Sequence, residues 1–435
     1  MNNKTKNKKI KAESAQKKIK KKSKPSKHSY KYWSEKSKRK GRDDKHERLV
    51  DFHVHSVGSS DGIHDISTLV SRAKNFEVDY ISVTDHNSFN ETVKYLNANH
   101  ADLKLAIHDM DGINFIPGVE ITCRVGDVKN YKGNDLKVHL LVYSPILTEN
   151  SYLMKLMKIK HGNDLAVDFG MLLNIAKLKG IQLDPDSIRD FMIRQRLHGD
   201  SGFSSFGQDE VMAYFKKQKI NIAKSARAFS NMFDTIPRAE RLNLSAEDVI
   251  SLAHASGGMC VMAHPKVHLQ RTNNRQDAVD SLLEYGIDGF ELMTPSMDND
   301  TFTLITRECS RFNSRNTLLY TGGSDFHIYG DHSKIGRFGD LPITAKSQDP
   351  VIKELQTLNK ARKQECLTHR DYKMLLTSEM DYIIQKYSEK AHEINEIYTD
   401  NQKKMGLIES DDSFVHTNMA YVDYLKERGV YDEGM

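Results

Sequence analysis

At 435 residues the chain is too long for one small domain and has room for two or three units. Residues 1–48 hold 20 Lys/Arg against 5 Asp/Glu, so a formal net charge of +5 conceals a basic leading segment on a mildly acidic body. Four scattered cysteines (Cys123, Cys260, Cys309, Cys366) without C-x-x-C spacing imply no disulfide scaffold or thiolate metal site, and no apolar run comes near the ~18 residues of a membrane-spanning helix.

In chain order, residues 1–47 are mostly Lys, Ser, Asn and Gln. They offer too little apolar surface to offset the entropy of ordering and are predicted to form a disordered tail. The tail has charge but not the apolar stretch of a secretory signal, so a soluble, cytoplasmic protein is expected. The run Lys17-Lys18-Ile19-Lys20-Lys21-Lys22 has the composition of a nucleic-acid patch, and Tyr30, Tyr32 and Trp33 add stacking surface. A solvated tail that gathers polyanions without selectivity is the plainer reading of the same residues.

From Leu49 onward, seven β-like runs alternate with helical stretches: Leu49–His55, Tyr80–His86, Ile113–Thr122, Lys137–Ser144, Met259–Pro265, Gly289–Met293 and Leu318–His327. Between the first two, Ser67–Val78 reads as a helix with Leu69, Val70, Ala73 and Phe76 on one face. Such alternation predicts parallel strands joined by crossover helices, enough for a small barrel. The interval from Pro145 to about Ala255 must carry its own structure. It is expected to be an inserted helical subdomain over the barrel mouth, with a helix at Asp164–Lys179 stopped by Gly180. Ser245 is the predicted N-cap of the next helix, with Asp248 as its capping-box acid. The predicted organisation is a tail at 1–47, a barrel body at 48–345 with the insertion at about 146–255, and a helical extension at 346–435. Val351–Leu367 and Tyr372–Tyr398 are the extension's clearest helices, and the sequence leaves open whether it packs on the body or forms an oligomer contact.

The chemistry gathers at strand ends. In Asp51-Phe52-His53-Val54-His55, alternation puts His53, His55 and Asp51 on one face. H-x-H alone is a weak signal. However, the next strands end in Thr84-Asp85-His86 and Gly118-Val119-Glu120, the fourth carries His139, and the later ones end in Ala263-His264-Pro265 and Ser324-Asp325-Phe326-His327, with Ser60-Asp61-Gly62 just after the first. In a parallel barrel the C-terminal strand ends share one mouth. So many imidazoles and carboxylates in one place are most simply satisfied by divalent cations, and a mixed His/carboxylate set without Cys suits Zn, Mn or Fe(II).

These segments (D-F-H-V-H…S-D-G, T-D-H-N, G-V-E-I-T, V-H-L-L-V-Y, A-H-P, G-F-E-L, G-S-D-F-H) resemble, in order, those of the polymerase and histidinol phosphatase (PHP) superfamily of metal-dependent phosphoesterases. The resemblance covers residues 49–144 and 257–340 and implies a distorted (β/α)7 barrel. It also implies nine ligands for two or three ions (Mn, Zn or Fe, with Mg possible): His53, His55, Asp61, His86, Glu120, His139, His264, Asp325 and His327. A first ion would use His53, His55, Glu120 and Asp325; a second would share Glu120 with His139 and His264; a third would use Asp61, His86 and His327. The loop Ser56-Val57-Gly58-Ser59-Ser60 is one residue longer than the usual spacing, and Gly58 could absorb the extra residue. The Arg-Pro-His stretch of the nucleotide-phosphatase branch is missing, and Arg194, Arg196 and His198 are the nearest substitutes.

The expected activity is phosphate-ester hydrolysis by a metal-bridging hydroxide, as a phosphatase or exonuclease. Asp61 and His264 are candidate proton donors to the leaving oxygen. Arg124 and Lys266 are candidate phosphate contacts, with ordinary surface charge as the plainer reading. The basic tail favours a nucleotide or nucleic-acid end as substrate. The alternatives are a small metabolite of the histidinol-phosphate type, amide or ring hydrolysis by an amidohydrolase-like barrel, and a non-catalytic metal-stabilised nucleic-acid-binding module. The amidohydrolase reading would favour a carboxylated Lys where His139 stands.

Overall fold

The computed structural model describes residues 48–59, 62–161, 163–164, 241–312, 318–327, 334–364 and 377–404. The predicted tail, most of the predicted insertion (including the Asp164–Lys179 helix and its Gly180 stop) and the end of the extension lie outside these residues. Among the described residues no helix is long and apolar enough to cross a membrane.

Seven strands form one path in the sheet. They are β1 (Leu49–Val54), β2 (Val78–Val83), β4 (Ile113–Lys129), β5 (Asp135–Tyr143), β7 (Met259–Met262), β8 (Gly289–Met293) and β9 (Leu319–Gly322). Short strands β3 (His108–Met110) and β6 (Leu244–Ser245) pair with β4 off this path. The ring closes where β1 meets the residues following β9. Val54 bridges Phe326 in parallel, Asp325 N–H donates to His53 O at 2.9 Å, and His55 N–H donates to Phe326 O at 2.9 Å. Asp51 reinforces this seam by accepting from the backbone N–H groups of His53, Ser324 and Gly336.

All seven predicted strands are present, but not all run the same way. β5 is antiparallel to both β4 and β7. No crossover helix joins β4 to β5; β4 continues to Lys129 and turns back through residues 130–134, where Asn130 N–H donates to Asn134 O at 2.8 Å. Alternating hydrophobicity reports that a segment is a strand and not its direction. A hairpin between two long strands therefore carries the same pattern as two parallel strands.

Helix α1 (Ile66–Asn75) follows β1 and buries Leu69, Val70 and Ala73. Phe76, expected on the same face, lies just past the helix end and is 44 % exposed, because Glu77 takes a positive φ of 57° and reverses the chain into β2. The helix begins one residue before the predicted Ser67, and Asp65 caps it by accepting from Thr68 N–H at 2.6 Å. Helix α2 (Asn90–Ala98) follows β2, α3 (Ala246–Ala255) precedes β7, and α4 (Pro265–Leu269) follows it. Next come α5 (Arg275–Glu284) before β8 and α6 (Asn299–Phe312) after it. A hairpin of β10 (Arg337–Phe338) and β11 (Leu341–Pro342) leads to α7 (Asp349–Lys363) and α8 (Thr377–Lys404).

One apolar core lies between the sheet and the helices, with Leu69, Val93, Val119, Ile121, Val249 and Leu282 among its members. A second contains Ile116, Leu141 and Tyr143, which by alternation share the strand faces of Glu120 and His139. Val351, Leu355 and Leu358 of α7 join it. Predicted site residues and apolar packing thus share one face of β4 and β5. The extension also packs on the body: Met380, Ile383 and Tyr387 of α8 are buried in the first core.

Candidate metal centre

The site starts with the two imidazoles of β1, both fully buried. Their outer nitrogens have defined partners. His53 Nδ1 lies 3.1 Å from Glu291 Oε1 on β8, and His55 Nδ1 lies 2.9 Å from Ser59 Oγ. A carboxylate only accepts, so His53 Nδ1 carries the proton. Ser59 Oγ gives its single proton to Asp85, so His55 Nδ1 must donate as well. Both rings therefore turn Nε2 inward, the nitrogen that a neutral ring would offer as a lone-pair donor, and the two Nε2 atoms stand 3.0 Å apart. His327 follows the same rule, its Nδ1 lying 2.9 Å from Asp325 O. Fixing one ring nitrogen so that the other is a lone-pair donor is the usual support of a metal-ligating histidine.

The segment Thr84-Asp85-His86-Asn87 divides its work. Thr84 N–H donates to Val54 O, joining this segment to β1. Asp85 is buried and holds the loop after β1 through Ser56 N–H at 2.7 Å and Ser59 Oγ at 3.1 Å. Gly58 lies against this carboxylate so closely that a Cβ there would collide with it, which is why the longer loop needs glycine at that point. His86 Nδ1 faces Glu120 Oε2 at 3.1 Å. Asn87 donates its N–H to Glu120 O and accepts from Thr122 N–H, fastening the segment to β4.

Glu120 is the centre of the cluster and is fully buried. Its Oε2 lies 3.3, 3.2 and 3.1 Å from nitrogens of His53, His55 and His86, while its Oε1 lies 2.7 Å from His139 Nδ1 and 2.8 Å from His264 Nε2. Asp325 Oδ1 stands 3.4 Å from Nε2 of both His53 and His55. His139 comes from the middle of β5 because that strand is reversed, which brings its earlier half to the mouth; it pairs with Thr122. His264 and Asp325 hold positive φ angles of 25° and 54°, strained for side-chain-bearing residues at roughly 1–3 kcal/mol each. His264 N–H donating to Glu291 Oε2 at 2.7 Å, and Asp325 N–H donating to His53 O, hold these two turns.

The electrostatics follow from the geometry. Burial opposes ionisation of Glu120, yet His139, His86 and His53 hold its carboxyl well below the usual range. Burial also opposes charge on His53, but Glu291, Glu120 and Asp325 raise its pKa well above 6.5. Burial pushes Asp51 up to about 6, against the hydrogen bonds it accepts. Ligands about 2.1 Å from one ion sit roughly 3.0–3.4 Å apart. The separations around His53, His55, Glu120 and Asp325 match that range. The donor set and its spacing fit divalent cations.

Of the nine residues named as ligands from sequence, eight converge on this mouth. The ninth, Asp61, lies outside the described residues, as do Arg194, Arg196 and His198. The exposures form a gradient: His53, His55 and Glu120 form a buried floor, while the side chains of His86, His139, His327 and Asp325 are 20–34 % exposed at the rim. Arg124 pairs with Asp135 at 3.0 Å and Lys266 with Asp298 at 3.5 Å, so each candidate phosphate contact already holds a carboxylate.

A family model of the PHP domain matches residues 51–292, more than half of the chain, and takes in every converging residue except Asp325 and His327. The chain belongs to this family. As a PHP-domain protein it is a hydrolytic enzyme whose cluster is suited to divalent metal ions. A Bifidobacterium adolescentis protein described as a metal-dependent phosphoesterase has a similar structure, with 20 % identity, a TM-score of 0.51, and 72 % of this chain and 96 % of that one covered. An amidohydrolase from Chromobacterium violaceum is also similar, at 21 % identity and a TM-score of 0.46 over 71 % of this chain and 96 % of that one. At 20 % identity the likeness to the Bifidobacterium adolescentis structure speaks to the fold alone. No curated protein matches the chain.

Two orienting carboxylates and one neighbouring histidine of the PHP-domain site have no assignment from sequence. Glu291 was visible in the G-F-E-L segment and Asp85 in T-D-H-N, but their roles as orienting carboxylates depend on contacts with distant residues. His268 lies inside α4 and not at a strand end, so the strand-end pattern does not reach it. It is 1 % exposed, and its ring centroid lies 4.6 Å from that of His139 and 5.0 Å from that of His264.

Proposed function

We propose that this PHP-domain protein hydrolyses phosphate esters, with a nucleotide or nucleic-acid end as its substrate. The observation that carries the reading is the convergence of His53, His55, His86, Glu120, His139, His264, Asp325 and His327 on one partly open mouth. When bound there, divalent ions would acidify water and neutralise charge on phosphoryl oxygens. His53, His55, Glu120 and Asp325 would hold one ion, and Glu120, His139 and His264 a second. His86 and His327, with Asp61, would hold a third.

The residues themselves explain why such a site stays organised. Glu291 and the Ser59–Asp85 pair fix the ring orientations of His53 and His55, and the apolar residues beside Glu120 and His139 lower the local dielectric. His264 turns its Nε2 to Glu120 and is assigned to ligation, as Asp61 is, so neither is set apart as the proton donor to the leaving oxygen. The Lys-rich residues 1–48 support a polyanionic substrate, since they would concentrate nucleic acid near the mildly acidic body in a salt-sensitive way.

The test is to incubate the full chain, loaded with Mn, Zn, Fe or Mg, with p-nitrophenyl phosphate, bis-p-nitrophenyl phosphate and short oligonucleotides. Shortening of the oligonucleotides from one end is the expected result. Turnover of the monoester alone would move the assignment to a small-metabolite phosphatase. Full activity of His264→Ala on every substrate would end the metal-based reading.

A further inference from the structure

His268 has no role in the site as assigned above. It sits on α4, four residues after His264, and is almost completely buried. Neither ring nitrogen of His268 has a hydrogen-bond partner among the described residues. Leaving a buried polar group unsatisfied costs roughly 1–3 kcal/mol, and an imidazole contains two such groups. A residue that only filled space here would be better served by an apolar side chain. The His268 ring instead lies against those of His139 and His264, and one nitrogen from each of the three comes within 4.8 Å of the others. His264 is the N-cap of α4 and His268 lies within that helix, so one short element brings both rings against His139.

We infer that His268 is a further ligand of the ion held by Glu120, His139 and His264, making that position a three-imidazole, one-carboxylate site. This rests on the metal-dependent reading given above and deepens it. A set so rich in nitrogen suits zinc or iron and is a poor host for magnesium, which prefers oxygen ligands. The His268 position would thus separate the ions by type, with the nitrogen-rich site selecting a transition metal while the carboxylate-bearing rim remains more permissive.

The experiment uses the full chain stripped of metal and titrated with Zn(II) and with Co(II) against a competing chromophoric chelator. Wild type is compared with His268→Phe, which keeps a ring against His139 and His264 but has no nitrogen, and with His268→Gln, which keeps polarity. The expected result is that both variants bind one ion about 10- to 100-fold more weakly. The visible Co(II) bands of that site should change, and the melting temperature of the metal-free chain should hold. Affinity and Co(II) bands matching wild type in either folded variant would overturn the inference while leaving the phosphoesterase reading intact. A wild-type chain that binds no ion would overturn both. Unchanged metal binding with a raised KM for phosphate esters would make His268 a substrate contact and also overturn it.

Discussion

Glu291 never reaches out of the barrel, yet it positions two candidate ligands at once. One oxygen takes the Nδ1 proton of His53 and the other takes the strained backbone N–H of His264. A neutral amide cannot accept at both ends. In Glu291→Gln one of these donors would face an NH2 group and lose its partner. The expected outcome is a chain with unchanged circular dichroism that binds its ions about 10- to 100-fold more weakly, measured by chelator competition. The same reasoning explains the close approach of Gly323, where a Cβ would collide with both His53 and Glu291. The G-S-D-F-H segment carries glycine there because its backbone crosses directly behind the first ligand.

At the scale of elements, the start of α3 differs from the expected capping box. Ser245 occupies the N-cap, but its side chain makes no cap hydrogen bond. The Tyr387 hydroxyl from α8 sits between the two expected partners, accepting from Ser245 N–H at 2.8 Å and donating to Asp248 Oδ2 at 2.5 Å. The C-terminal helix thereby completes the cap of an earlier one. Tyr387→Phe should destabilise the chain by about 1 kcal/mol, as one part-buried N–H and one carboxylate lose a partner. Urea unfolding would measure this, and a loss near zero would show that water replaces the hydroxyl. Capping by a side chain more than a hundred residues away is invisible to a local motif. The reversal of β5 escaped for a related reason, since strand direction is set by partners and not by pattern.

At the scale of the whole molecule, acid acts on more than the metal centre. His108 on β3 is buried, and desolvation, with Lys363 adding slightly, lowers its pKa from 6.5 to about 4. Its unfolded form gains a proton below 6.5, whereas the folded form does so only near 4. The contribution of His108 to stability is therefore complete above pH 6.5 and declines as pH falls towards 4, by up to about 3 kcal/mol. In the metal-free chain, His108→Gln should flatten the stability profile across that window. Chemical denaturation at a series of pH values would show it, and an unchanged slope would refute the assignment.

The seven strands, the basic leading segment and the eight converging side chains were legible in the linear chain, because alternation and residue type are local properties. Even the need for glycine in the longer loop after β1 could be anticipated, although its cause, the Asp85 carboxylate, could not. Tertiary structure alone decided which residues support the others: Glu291 behind His53, Tyr387 within the cap of α3, His268 against His139 and His264. Each of these depends on distances between segments far apart in sequence. A hydrogen bond or a shared ion is a relation between two places in space, and a sequence read along one dimension holds only the partners.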